Sequence, residues 1–304
     1  MGQELDSLIA EARDPSTSFG RLWILSEYPD KEVRRSVIDN FNLCPLDKHG
    51  VLETTLLSKL ATEFPEEVAN HPIFVLHALV EPNDDMVWVV KEIVQRVGDM
   101  YILELLWNNW RNSTMWNIRE SFGKNPCSSQ EMLRILSNYE DEWLVRRAVA
   151  SNPKTSIDIL RILGNEVFEK TWEVRRAVAE NPNTPLDVLH VLGNHKTEQN
   201  MFVRIAVANN PYTQEETIRI LGNSVTEPEW RVRSKVARNA RTPIDIIFNL
   251  GNPNNEPDWN VRHALTENTN TPLDILRTLS SATTEPNESV RESAKTAIIQ
   301  RGWR

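Results

Sequence analysis

Residues 172–194 read WEVRRAVAENPNTPLDVLHVLGN, and the two halves of this stretch carry two different helix signals. In the first half Val174, Ala177 and Val178 stand at i, i+3 and i+4, one face of a helix. Asn181-Pro182 ends it, because a residue before proline is driven out of helical geometry and proline has no N–H to donate. The second half opens with Thr184-Pro185-Leu186-Asp187, which reads as an N-cap, a proline at the first helical position and an acid in capping-box spacing. It closes at Gly193-Asn194, a C-cap signal. Each helix is shorter than the ~12–15 residues that an isolated helix needs in water, so neighbours must stabilise it. Leu186, Val188, Leu189, Val191 and Leu192 leave little of the second helix polar, which predicts an element sandwiched between layers.

Outward from this stretch the same pattern returns every 29 residues, anchored by Val145-Arg146, Val174-Arg175, Val203-Arg204, Val232-Arg233, Val261-Arg262 and Val290-Arg291. Looser copies precede them at Ile118-Arg119, Val90-Lys91, Phe64 and Val33-Arg34, making ten anchors in all. A strict period carried by an apolar-basic pair marks stacked supersecondary units that share one core. The expected fold is all-α: a right-handed α-solenoid of about ten stacked two-helix repeats. Residues 1–115 form its degenerate, acidic N-terminal repeats, and residues 116–304 its regular repeats of 27–29 residues with a C-terminal capping helix, one continuous solenoid.

The strings VRRAVAENPNTPLDVLHVLGN and VRRAVASNPKTSIDILRILGN resemble the leucine-rich repeat variant (LRV), a HEAT-like family of helical repeats. The resemblance covers residues 116–292 well and 12–115 loosely, and it implies units that pair an α-helix with a second short helix. Founding members of that family carry a cysteine-rich iron-sulfur segment before their repeats. This chain has only Cys44 and Cys127, too few for such a cluster, so the resemblance implies no cofactor here.

Two cysteines also fit a reduced, cytoplasmic setting, and no apolar run is long enough to span a bilayer. The charge is uneven: residues 1–140 hold 13 Lys+Arg against 22 Asp+Glu, whereas residues 141–304 hold 21 of each. An acidic half followed by a neutral one argues against a general nucleic-acid binder, whose affinity rests on neutralising phosphates.

Recurring residues are expected to serve stacking. The arginine anchors are answered by Glu169, Glu198, Glu227, Glu256 and Glu285, also 29 apart, which suits an Arg-Glu ladder between layers. Trp116, Trp143, Trp172, Trp230 and Trp259 form a second column, read as packing between layers. Asn152, Asn181, Asn210, Asn239 and Asn268 form a third, read as bonding turn backbone. Partner recognition is expected where copies disagree: Arg147, Arg176, Tyr212, Ser234 and His263 belong to the columns two, six and nine residues after each Val. One copy departs most, with Lys235 where four others have Ala148, Ala177, Ala206 and Ala264. It gathers Arg231, Arg233, Lys235, Arg238 and Arg241 into eleven residues, with Ser234 between them, and would suit an acidic peptide or a phosphate. The alternative for Lys235 is a solvated side chain paired with Glu227 or Glu229. A further irregular zone, residues 73–115, holds Tyr101, Trp107 and Trp110, read as the core of a longer helix rather than an apolar groove.

The six histidines, His49, His71, His77, His190, His195 and His263, have no metal-binding spacing, and no nucleophile or phosphate-loop motif is present. The expected function is a non-catalytic protein-protein interaction scaffold or adaptor that binds a protein or acidic peptide along one face, with no membrane partner. The alternative is a nucleic-acid-binding or HEAT-like DNA-repair protein using the arginine and tryptophan columns. A weaker one is an accessory lyase-like HEAT protein.

Overall fold

The computed structural model describes residues 2–40, 50–75, 78, 86–138 and 141–302 of the 304-residue chain. Cys44, His49 and His77 lie outside them. All regular structure among the described residues is helical, as the period predicts. The chain divides into two compact units, residues 1–154 and 155–304. The first contains α1 (Gly2–Arg13), α2 (Phe19–Leu25), α3 (Lys31–Ile38), α4 (Gly50–Glu63), α5 (Pro65–Ala69), α6 (Pro72–Val75), α7 (Val87–Arg96), α8 (Met100–Trp110), α9 (Trp116–Lys124), α10 (Gln130–Asn138) and α11 (Trp143–Ser151). The second contains α12 (Ile157–Leu163), α13 (Trp172–Glu180), α14 (Leu186–Leu192), α15 (Met201–Asn209), α16 (Glu215–Leu221), α17 (Trp230–Arg238), α18 (Ile244–Leu250), α19 (Trp259–Glu267), α20 (Leu273–Ser280) and α21 (Glu288–Gln300).

In the second unit the odd-numbered helices of successive repeats stack directly on one another, and each even-numbered helix packs against the odd-numbered one that follows it. The anchors Val174, Val203, Val232 and Val261 are wholly buried, together with Val178, Val207, Val236 and Leu265 one turn later. These side chains are the apolar face that the i, i+4 spacing announces. Asn181, Asn210, Asn239 and Asn268 end the stacked helices in extended backbone, as their position demands. Their amides do more than close their own turns: Asn210 Nδ2 donates to the carbonyls of Ala179 and Asn181 in the preceding layer at 2.8 and 3.1 Å. Asn268 repeats this with Ala237 and Asn239. The first unit uses the same device at Asn40, Asn125 and Asn152. At α21 an alanine, Ala297, falls in that column, and the Arg301 guanidinium supplies the donors to Thr266, Thr269, Thr271 and Asn268 carbonyls.

Two local expectations need correction, and a third holds for another physical reason. Thr184 is not the N-cap of α14. Helix α14 begins after Pro185, and the Thr184 hydroxyl instead donates back to the carbonyl of Val178 at 2.5 Å, as Thr242 and Thr271 do in their own repeats. Gly193 caps α14 where the sequence places the helix end, in right-handed backbone with φ −84°. It is glycine because a Cβ there would stand 2.6 Å from the Thr217 methyl of the next repeat; Gly164, Gly222 and Gly251 meet Val188, Ile246 and Ile275 in the same way. Finally, the even-numbered helices are not sandwiched. Val188, Leu189 and Leu192 are buried, but Leu186 and Val191 are exposed, as are Ile157, Ile162, Ile244 and Phe248 at other repeats.

In the irregular zone of the first unit the core reading holds. Trp107 and Trp110 of α8 are buried; Trp107 meets Phe122 edge-on with centroids 5.1 Å apart, and Trp110 Nε1 donates to the Ala78 carbonyl. Tyr101 points outward.

Candidate partner-binding face

Four members of the arginine column are internal, while Arg146 and Arg291 are half-buried. Arg175, Arg204, Arg233 and Arg262 are buried, and each closes a fork on the glutamate of the next layer: Arg204 Nε and Nη2 donate to Glu227 Oε2 and Oε1 at 2.5 and 2.9 Å. Glu198, Glu256 and Glu285 receive Arg175, Arg233 and Arg262 identically. The remaining Nη1 of each arginine donates to the backbone carbonyl six residues earlier, and each glutamate also accepts the N–H two residues on. Burial opposes the charge of Arg175 and Arg233, yet the hydrogen bonds they donate to Glu198 and Glu256 and the surrounding carboxylates outweigh it, and both guanidiniums are held above the ordinary arginine value. Such an arginine offers nothing to a phosphate. The first unit keeps one copy at Arg34, which forks onto Glu63 and donates to the Tyr28 carbonyl.

The tryptophans start the stacked helices half-exposed or, at Trp116 and Trp259, exposed, and Trp143, Trp172, Trp230 and Trp259 each contact a neighbouring side chain. Trp172 stacks on Phe202 of the next layer at 5.4 Å, Trp230 lies under the Arg231 guanidinium, and Trp143 under that of Arg147. They pack against protein groups rather than forming an open row of platforms.

The variable columns divide. Two residues after the anchor, Ser234 is buried, so it is withdrawn as a contact residue: its hydroxyl accepts Arg238 Nη1 at 3.1 Å. Arg176 is exposed but paired with Glu180 within its own helix, and His263 lies 3.6 Å from Glu267. Arg147 belongs to the first unit, where it sits 3.9 Å from Glu120, so it is not joined to the others as one site. Six and nine residues after the anchor, Glu180, Asn209, Arg238 and Glu267, then Asn183, Tyr212, Arg241 and Asn270, are all exposed.

On α17 the cations have unequal fates. Arg233 is consumed by the buried ladder and Arg231 by Glu229 at 3.0 Å. Arg238 forks onto Glu267 of α19, which its hydrogen bond holds below the ordinary carboxylate range. Lys235 pairs with neither Glu227, which serves Arg204, nor Glu229, which serves Arg231. Among the described residues no carboxylate lies within ion-pair distance of Lys235 or of Arg241. The size exchange is structural as well. Ala148, Ala177, Ala206 and Ala264 are buried where Lys235 is half-buried, and a buried serine precedes it. The small Ser234 leaves room for the Arg238 guanidinium to lie back over the helix.

A second surface was not anticipated as a site. The even-numbered helices of the second unit expose Ile157, Ile162, Leu186, Val191, Ile244 and Phe248, and the loops beside them expose Val167, Phe168 and Val225. Between α12 and α14 they border a groove of about 440 Å³ walled by Val167, Val188 and Val191, with an ion pair from Arg161 to Asp187 at its rim. The signal was present in the sequence as an excess of apolar residues on the second helix; only packing could tell which of them face outward.

Residues 172–195, which span α13 and α14, match the family model described as Leucine rich repeat variant. No curated protein and no solved structure matches the chain. The matched repeat is thus of leucine-rich repeat variant type, and its helical form agrees with the fold. No described helix is long and apolar enough to cross a membrane.

Proposed function

We propose that this protein is a non-catalytic, cytoplasmic interaction scaffold that holds a protein partner on the second unit. The observation that carries this reading is the exposed apolar row on the even-numbered helices, Ile157 and Ile162 with Leu186 and Val191 on α12 and α14, resumed by Ile244 and Phe248 on α18 after α16 interrupts it with Glu215. Single exposed hydrophobic residues are ordinary on a soluble protein, but Ile157, Leu186 and Ile244 share one helix position and Ile162 and Val191 another, and such a cluster rimmed by charge is the composition of a docking surface. The groove between α12 and α14 supplies the concavity in which an anchoring side chain is desolvated. Four of the arginines that would otherwise suggest a nucleic-acid track are spent inside the fold on glutamates of neighbouring layers.

Affinity capture from native extract, followed by reconstitution with the purified recovered protein, tests this. The wild-type chain is expected to recover a stoichiometric partner, and Leu186→Lys with Val191→Lys to lose it while circular dichroism stays unchanged. Failure to recover any stoichiometric partner overturns the scaffold reading. Recovery undiminished by the two lysines overturns the assigned face.

A further inference from the structure

We infer that the outer face of α17 is a second, separate docking point of this scaffold, one that takes an acidic protein segment in competition with Glu267. The inference rests on the scaffold reading. It uses residues that the apolar row does not, on a stacked helix rather than an even-numbered one.

The solvent side of α17 and its following turn present Arg231, Lys235, Arg238 and Arg241, answered only by Glu229 and Glu267. Two cations are left without a carboxylate in a protein with net charge −9, where carboxylates outnumber cations. Exposed ion pairs of this kind are worth little, so Glu267 can be exchanged for another carboxylate at small cost. The buried ladder is a different case, because its forks are enclosed.

Geometry then indicates the ligand. Glu267 approaches Arg238 as a fork, at 2.6 Å on Nε and 3.4 Å on Nη2, so it shows the orientation in which Arg238 receives a carboxylate. The long second contact leaves this fork looser than the 2.5 and 2.9 Å of the Arg233 pair in the same helix. Arg241 stands in the column of Tyr212 and Asn270, one layer to either side, and all three are exposed. An extended chain rises about 3.3 Å per residue, and packed helices lie about 8–10 Å apart, so a side chain every third residue meets successive layers. Arg238 and Arg241 belong to one layer, so a peptide that sets neighbouring acids on these two can lay an apolar residue three positions away on Tyr212 in the adjacent layer. A polynucleotide fits less well, since the surrounding unit is close to neutral and would neutralise few phosphates.

The test is fluorescence anisotropy with the purified full chain and labelled hexaglutamate at about 0.15 M salt, where exposed charges beyond about 8 Å are screened. Wild type is expected to bind saturably, and Arg241→Glu to weaken binding about tenfold, while Arg277→Glu on α20 changes it less than about twofold. Glu267→Gln is expected to strengthen binding about threefold, because the internal competitor loses its charge, whereas Glu215→Gln on α16 leaves it unchanged. Absence of hexaglutamate binding, equal losses from Arg241→Glu and Arg277→Glu, or no gain from Glu267→Gln overturns the proposal. Tighter binding of labelled oligothymidylate, lost in Arg241→Glu, also overturns it in favour of nucleic acid. Any of these results leaves the partner capture through the apolar row standing or falling on its own.

Discussion

Arg204 is among the largest wholly buried side chains of the described residues, and its charge is tolerated because each of its three side-chain nitrogens donates to a partner. A buried ion pair adds little net stability over an apolar pair of the same shape, but removing one member strands the other in a medium that cannot solvate it. Arg204→Met is therefore expected to destabilise the second unit by about 3–5 kcal/mol. Arg204→Met combined with Glu227→Met should cost less than either single change, because no charge is left unpaired. Urea titrations of the three variants check this; additive losses would show that the ladder is a net source of stability. The same reasoning explains why the arginine period, although basic, is unavailable to ligands. The period marks where the chain needs an internal donor, and the exposed cations of α17 lie beside it.

At the scale of the helix, the short elements survive because each is clamped to its neighbours through side-chain-to-backbone bonds. The asparagine amides reach the carbonyls of the preceding layer, and the threonine hydroxyls reach back to the helix they follow. Where α14 meets α16, the fit has no slack: a Cβ on Gly193 would lie 2.6 Å from Thr217 Cγ2 and 3.1 Å from the Leu189 carbonyl. Gly193→Ala is expected to cost about 1–3 kcal/mol through overpacking, with the loss relieved when Thr217→Ser removes the opposing methyl. A thermal melt of the single and double variants reads this directly, and an unchanged melt for Gly193→Ala would mean the layers can part. The even-numbered helices have only one apolar side occupied, which is why their remaining hydrophobic residues reach solvent.

For the whole molecule, pH acts through two sets of groups. Burial holds His71 below the ordinary histidine value, so the unfolded chain binds a proton there more readily than the folded one. Stability is then complete above the unfolded value of about 6.5 and declines as the pH falls toward the lower folded value. Hydrogen bonds from arginines hold Glu11, Glu63, Asp187, Asp245 and Glu267 below their ordinary values. Their contribution is present above about pH 4.5 and is lost as the pH falls through the depressed folded values. The urea midpoint is thus expected to fall in two stages on acidification, and His71→Gln to flatten the first stage alone. A first stage that persists in His71→Gln would assign it to another group.

What the sequence determines by itself is whatever depends on the period. Val174, Ala177 and Val178 announce the helix, Asn181-Pro182 its end, and the 29-residue spacing of Arg175, Arg204 and Arg233 against Glu198, Glu227 and Glu256 announces the ladder. A repeating chain is its own comparison, so a column of matched charges can be read before any coordinates. Asn40 and Asn125 were legible by the same rule, seven residues after Val33 and Ile118, although the looser copies hid them. Only the tertiary structure decided which members of each column reach solvent. The serine before Lys235 proved buried, Arg238 found Glu267 in the next layer, and Leu186 and Val191 turned outward while Leu189 turned in. Periodicity specifies the angle of a side chain about its helix axis, but exposure depends on what the neighbouring layers cover, and that is set only when the layers pack.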